Sequence, residues 1–173
     1  MRLEDYIHDI PDFPRPGIVF KDITPVFLDP EALRFSIDTL ADYARSLSVD
    51  FVASAEARGF VLGAAVAAAA GAGFILARKP GKLPRNVSSV EYELEYGVNA
   101  LEMHSDAVRN GARVLVHDDL LATGGTAGAL CHLVEEAGGV VAGCAFVIEL
   151  AFLDGRKRLA DYDVRSLVVY ESE

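Results

Sequence analysis

Two hydrophobic periods take turns along this chain. Mostly apolar runs at residues 49–53, 73–78, 114–117, 140–148 and 164–170 have the length and composition of buried strands. Between them, apolar residues recur at helical spacing. Asp29-Pro30-Glu31 opens the clearest helix, with an N-cap acid, a proline at the first helical position and an acid in the first turn. Its buried face, Leu33, Ile37, Leu40, Ala41 and Ala44, carries it to about residue 47. Arg58-Gly59 leads into an alanine-rich helix ending near residue 70, and residues 126–137 form a third helix closed by Gly138-Gly139. Residues 3–10 and 155–159 read as short helical pieces. Residues 90–94 alternate as a strand with which residues 100–103 can pair. Pro11, Pro14 and Pro16 impose an irregular stretch up to Gly17, and residues 79–90 show neither period, as expected of a functional or mobile loop.

Strands alternating with helices predict an α/β fold: a mostly parallel twisted sheet flanked by helices, in a single domain over all 173 residues. Residues 60–77 challenge that picture, because 18 residues without a charge are long enough to span a membrane. Eight of them are Ala and three are Gly, which favour lipid only weakly, so a helix followed by a strand is the better reading. Cys131 and Cys144 lack a CxxC spacing, and the first residues carry no apolar signal core. Both features point to a reduced, cytoplasmic setting.

The formal net charge of −10 argues against nucleic acid, whose phosphates demand Lys and Arg. The basic residues are nevertheless clustered: RKPGKLPR, residues 78–85, holds four of the 16. Such a cluster on an acidic chain suits a small polyanion, and a solvated charged loop equally well.

One string changes the picture. VLVHDDLLATGGT, residues 114–126, runs a strand into two adjacent carboxylates, Asp118 and Asp119, and then into a small-residue run at a helix start. In open α/β sheets, ligands bind beyond the carboxyl ends of the strands. Carboxylates there can accept hydrogen bonds from sugar hydroxyls, and backbone N–H groups at a helix start favour an anion. Neither GxxxxGK[ST] nor GxGxxG is present. Taken generically, an acid pair and a Gly-rich turn are also what an exposed strand–helix connection looks like. His117, inside the strand, is either satisfied by a neighbour or turned towards the site.

The full string resembles the phosphoribosyl-diphosphate (PRPP) signature of type I phosphoribosyltransferases. Three further segments resemble, in the same order, those of adenine phosphoribosyltransferases within that family. FPRPGIVFKDITP (residues 13–25) is similar to their purine-binding segment, and AEARGF (55–60) to their pyrophosphate loop. RKPGKLP (78–84) and LEYG (94–97) are similar to the two ends of their flexible lid. The similarity spans about residues 12–149.

The resemblance implies the type I phosphoribosyltransferase fold, with residues 1–28 as a base-binding hood and about 79–99 as a flexible lid. It implies transfer of the 5-phosphoribosyl group of PRPP to N9 of adenine, giving AMP and pyrophosphate through an oxocarbenium-like transition state. Asp118 and Asp119 would hold the ribose hydroxyls. Ala122, Thr123, Gly124, Gly125 and Thr126 would bind the 5′-phosphate, and Arg58, Lys79 and Lys82 the diphosphate. Glu95 would handle the proton at the purine and Tyr96 would close on the phosphates. Phe20 would stack on adenine while the main chain of Val19 and Lys21 reads its edge. Mg2+ would ride on PRPP oxygens, with no protein ligand of its own. A homodimer and a cis peptide at Glu56-Ala57 are further implications. The alternatives are a hypoxanthine/guanine or xanthine transferase and a PRPP-sensing regulator. The regulator would need a nucleic-acid-binding element that this chain's charge does not suggest.

Overall fold

The strand-forming runs share one sheet because each presents apolar residues to both of its faces. In the computed structural model of the protein, which describes residues 1–93 and 98–172, a short antiparallel ribbon of β1 (His8–Pro11) and β2 (Val19–Asp22) comes first. Seven strands follow: β3 (Phe51–Ala55), β4 (Gly73–Arg78), β5 (Val87–Glu93), β6 (Val98–His104), β7 (Arg113–Leu121), β8 (Val140–Leu150) and β9 (Val164–Tyr170). They lie in the order β5-β6-β4-β3-β7-β8-β9. The strands from β4 to β9 in that order are parallel, while β6 is antiparallel to both β4 and β5.

The helices α1 (Thr24–Leu28), α2 (Pro30–Ser46), α3 (Arg58–Ala70) and α4 (Gly125–Glu136) cover the sheet. Alternation along β7 shows why two layers form. Val114 and Val116 pack in one cluster with Leu130, Leu133 and Val134 of α4. Leu115, between them, packs in the other with Leu40 of α2 and Leu62 and Val66 of α3. Asp29 caps α2 as its sequence predicts, its Oδ1 accepting from the N–H groups of Glu31 (2.9 Å) and Ala32 (2.8 Å). The charge-free run divides into the 13-residue α3 and the strand β4. No helix among the described residues is long and apolar enough to cross a membrane.

Beyond shifts of one or two residues at strand ends, the fold departs from expectation in four places. Only Leu3–Tyr6 is helical near the N-terminus, and residues 8–11 form β1 instead. The turn that follows returns the chain beside them, and ladder pairing outcompetes a short isolated helix. Helix α1 has no counterpart in the hydrophobic pattern. Strand β5 begins at Val87, inside the stretch without periodicity. Strand β7 continues through Asp118 and Asp119 to Leu121, because β8 keeps pairing with it as far as Leu121↔Glu149. The acid pair therefore lies within the strand rather than after it.

Candidate active site

Because β3, β4 and β7 are parallel neighbours, their carboxyl ends deliver residues 56–58, 79 and 118–126 to one end of the sheet. There they enclose a cleft of about 450 Å³, walled by Glu56, Ala57, Arg58, Lys79, Asp118, Asp119 and Thr126. Tyr92 of β5 with Asn99 and Leu101 of β6 complete it from the sheet edge. A smaller pocket of about 120 Å³ adjoins it, formed by residues 120–127 and sharing Asp118 and Thr126.

The two adjacent carboxylates have opposite surroundings. Asp119 is buried and its Oδ2 lies 2.7 Å from Nε of Arg58, whose side chain is half-exposed to the cleft. Asp118 is half-buried and accepts the N–H of Asp119 on Oδ1 at 2.9 Å. Burial, reinforced by the neighbouring Asp119 carboxylate, pushes the Asp118 carboxyl well above the usual range. A Cβ at Gly59 would sit 2.7 Å from Asp118 Oδ1, so a larger residue would prevent α3 from starting this close to the acid. The arrangement offers one fixed anion–cation pair and a second carboxyl that a cationic ligand would draw into ionisation.

At the β3–β4 end, the predicted cis peptide Glu56-Ala57 is present. Glu56 ties this loop to the basic segment. Its Oε1 accepts the Lys79 N–H at 2.6 Å, and its Oε2 accepts Arg78 Nη2 at 3.0 Å and Nε at 3.2 Å. The Lys79 N–H first, and the Arg78 guanidinium after it, hold the Glu56 carboxyl below the usual range. Glu56 thus braces Lys79 and the 56–58 loop together.

The other end carries its charge on backbone dipoles. Gly124 is left-handed, at φ +79°, and turns the chain so that α4 starts at Gly125 with its first N–H groups open to the smaller pocket. The Thr126 hydroxyl donates to Tyr92 Oη at 3.3 Å, linking this loop to β5.

The remaining candidate residues fall into three groups. Phe20 stands beside the cleft, its ring 5.1 Å from the Arg58 guanidinium and edge-on to Phe13, also at 5.1 Å. Lys21 is buried and its Nζ is engaged by Asp9 (2.7 Å) and by the Tyr170 ring (4.3 Å). The Lys21 side chain is therefore committed to the fold, and β2 has an edge that no other described strand pairs. Lys82 is exposed and off the cleft wall, with its carbonyl accepting from Arg78 Nη1 at 3.2 Å. Glu95 and Tyr96 lie outside the described residues. His117 is fully buried away from the cleft. Its Nδ1 meets the Ala145 carbonyl oxygen at 2.9 Å, and burial lowers its pKa to about 4, so the ring is neutral.

Glu56, Tyr92, Asn99 and Leu101 line the cleft with no role expected from the sequence, although Glu56 falls in the expected pyrophosphate loop and Tyr92 and Asn99 in the expected lid. Glu56 could have been found from charge complementarity, an acid beside Arg58 facing a later Arg-Lys pair. Tyr92 could have been found from the alternation of Val90 and Tyr92 on one face of β5.

Known proteins share this chain's sequence and fold. A family model described as the phosphoribosyl transferase domain matches residues 29–171. Adenine phosphoribosyltransferase of Rubrobacter xylanophilus is 60% identical over 97% of this chain and 91% of its own length. The crystal structure of adenine phosphoribosyltransferase from Thermoanaerobacter pseudethanolicus superposes with a TM-score of 0.94 at 52% identity, covering 97% of this chain and 98% of that one. That of the Saccharomyces cerevisiae protein, complexed with an imino-altritol bisphosphate and adenine, gives 0.91 at 37% identity, covering 95% and 96%. This chain belongs to the phosphoribosyltransferase family, among its adenine phosphoribosyltransferases.

Proposed function

We propose that the cleft transfers the 5-phosphoribosyl group of PRPP to N9 of adenine, releasing pyrophosphate and forming AMP. The observation that carries this reading is the meeting of three unlike groups in one cleft: the cations Arg58 and Lys79, the acid pair, and the α4 phosphate loop. Their order along the cleft follows the order of diphosphate, ribose and 5′-phosphate in PRPP.

The residues then divide the work. Arg58 and Lys79 stabilise negative charge growing on the departing diphosphate, which is where preorganised cations accelerate a reaction most. Asp118 and Asp119 accept the ribose 2′ and 3′ hydroxyls and face the cationic sugar, and the Asp119–Arg58 pair fixes their spacing. Residues 122–126 hold the 5′-phosphate. Phe20 supports the purine ring while the free edge of β2 reads adenine's N6 donor and N1 acceptor. Glu95, by resemblance, exchanges the purine proton, and Tyr96 closes over the phosphates. Residues 1–28 act as the hood and about 79–99 as the lid. Closure excludes water that would otherwise hydrolyse PRPP. The Thr126–Tyr92 contact supports a lid whose base already reaches the phosphate loop.

Mg2+ fits this site as a passenger on PRPP. The cleft offers hard oxygen donors, chiefly the Asp118 carboxylate, suited to holding hydrated Mg2+ through water, while Asp119 is already engaged by Arg58. When bound, the ion would neutralise part of the diphosphate charge. A homodimer is supported by the exposed apolar side chains of Val61 in α3 and Leu76 in β4. The unbridged thiols of Cys131 and Cys144 support a cytoplasmic setting.

The test is pyrophosphate release from PRPP and Mg2+ with adenine, hypoxanthine, guanine or xanthine in competition. Adenine is expected to be converted to AMP in preference to all three. No AMP, or preference for a 6-oxopurine, overturns the reading.

A further inference from the structure

The phosphate loop rests on a second piece of backbone. A Cβ at Gly155 would lie 2.2 Å from the Ala122 carbonyl oxygen, and one at Gly124 would lie 2.6 Å from the Gly155 carbonyl oxygen. The turn beginning at Gly155 therefore touches the loop at positions where neither chain has room for a side chain.

The residue after Gly155 is anchored in the sheet. Arg156 Nε donates to Glu149 Oε1 at 2.6 Å and Nη2 donates to Oε2 at 2.7 Å, a two-pronged pair that fixes angle as well as distance. Ser166 Oγ donates to Glu149 Oε2 at 2.6 Å, and Arg156 Nη1 donates to the Val164 carbonyl oxygen at 3.1 Å. Glu149 is buried on β8, opposite Leu121, the last residue before the loop. The Arg156 bonds first, with that of Ser166, hold the Glu149 carboxyl below the usual range, so it is ionised at neutral pH. Leu159, buried in the core, pins the other end of the turn. Neither Glu149 nor Arg156 lines the cleft or the smaller pocket.

We propose that Glu149 and Arg156 are positioning residues for the 5′-phosphate, their ion pair holding the 155–159 turn as a backstop that fixes the N–H groups of residues 122–126. This rests on reading those residues as the 5′-phosphate site. A backstop of this kind acts on ligands that carry the phosphate and leaves those that lack it untouched. General loosening of the fold would affect both.

The experiment measures KM for PRPP and for adenine, together with calorimetric affinities for AMP and for adenosine, in the wild type, Glu149→Gln and Arg156→Lys. Each variant is expected to raise the PRPP KM and to weaken AMP binding by about tenfold, with adenine KM, kcat and adenosine affinity within about twofold of wild type. Arg156 is half-exposed, so Arg156→Lys keeps the test open if Glu149→Gln fails to fold. Unchanged PRPP KM and AMP affinity in Arg156→Lys, or equal losses for AMP and adenosine, overturn the proposal. A wild type that binds AMP no better than adenosine refutes the phosphate site itself, and the backstop with it.

Discussion

The two ends of the cleft are built for anions by different means. At the β3–β4 end, side-chain cations do the work: Arg58 is held by Asp119, and Lys79 is braced by Glu56. At the α4 end no Lys or Arg lines the pocket among the described residues, although Arg158 packs beside Gly124, and the donors in the lining are backbone N–H groups and the hydroxyls of Thr123 and Thr126. With the diphosphate at the first end and the 5′-phosphate at the second, as proposed, the difference follows the reaction. Charge on the diphosphate rises as the glycosidic bond breaks, so full cations placed there favour the transition state over the ground state. Charge on the 5′-phosphate never changes, so neutral dipoles suffice to hold it as a handle. Substitutions at the first end should therefore act on kcat, and those at the second on KM.

The largest effect is expected from Arg58→Ala. It removes the cation proposed to face the diphosphate and breaks the ion pair of buried Asp119. Turnover should fall by about a thousandfold with a smaller change in PRPP KM, measured by steady-state AMP formation. Next is Glu56→Gln, which keeps the shape but loses the charge that gathers Arg78 and the Lys79 N–H. A loss of about tenfold in kcat/KM is expected. Since the folded pKa of Glu56 lies below its ordinary 4.5, its contribution to stability is present above that value. It is lost as pH falls through the folded pKa, so this brace should weaken only in acid. Thr126→Ala should raise PRPP KM by about threefold to tenfold with kcat nearly unchanged. A kcat loss there as large as that of Arg58→Ala would break the comparison.

These two ends were not equally legible in the sequence. The phosphate loop and acid pair form one contiguous string, so their chemistry can be read locally, although β7 runs further than its apolar residues suggest. The diphosphate end is assembled from segments more than twenty residues apart, and the role of Glu56 depends on β3 lying beside β4. Lys82 shows the converse: a basic residue in a basic loop that the fold leaves on the outside. The proline-rich N-terminus misled for another reason. Strand pairing with β2 fixed residues 8–11, and local pattern carries no trace of a partner ten residues away.

His117 serves as a control outside both ends. Its pKa drops from 6.5 to about 4 on folding, so the unfolded chain binds the proton first as pH falls. The protein should lose about 3 kcal/mol of stability between pH 6.5 and 4 through this one residue. Urea unfolding of His117→Leu across that range should lack this slope, with activity at neutral pH essentially retained. A loss of activity at neutral pH would place His117 in the catalytic machinery after all.

The most direct test of the division between the two ends is a crystal structure with PRPP, Mg2+ and an unreactive adenine analogue. The diphosphate is expected on Arg58 and Lys79, and the 5′-phosphate on the N–H groups of residues 122–126. Diphosphate oxygens in the α4 pocket, or a 5′-phosphate held by Arg58, would contradict the account.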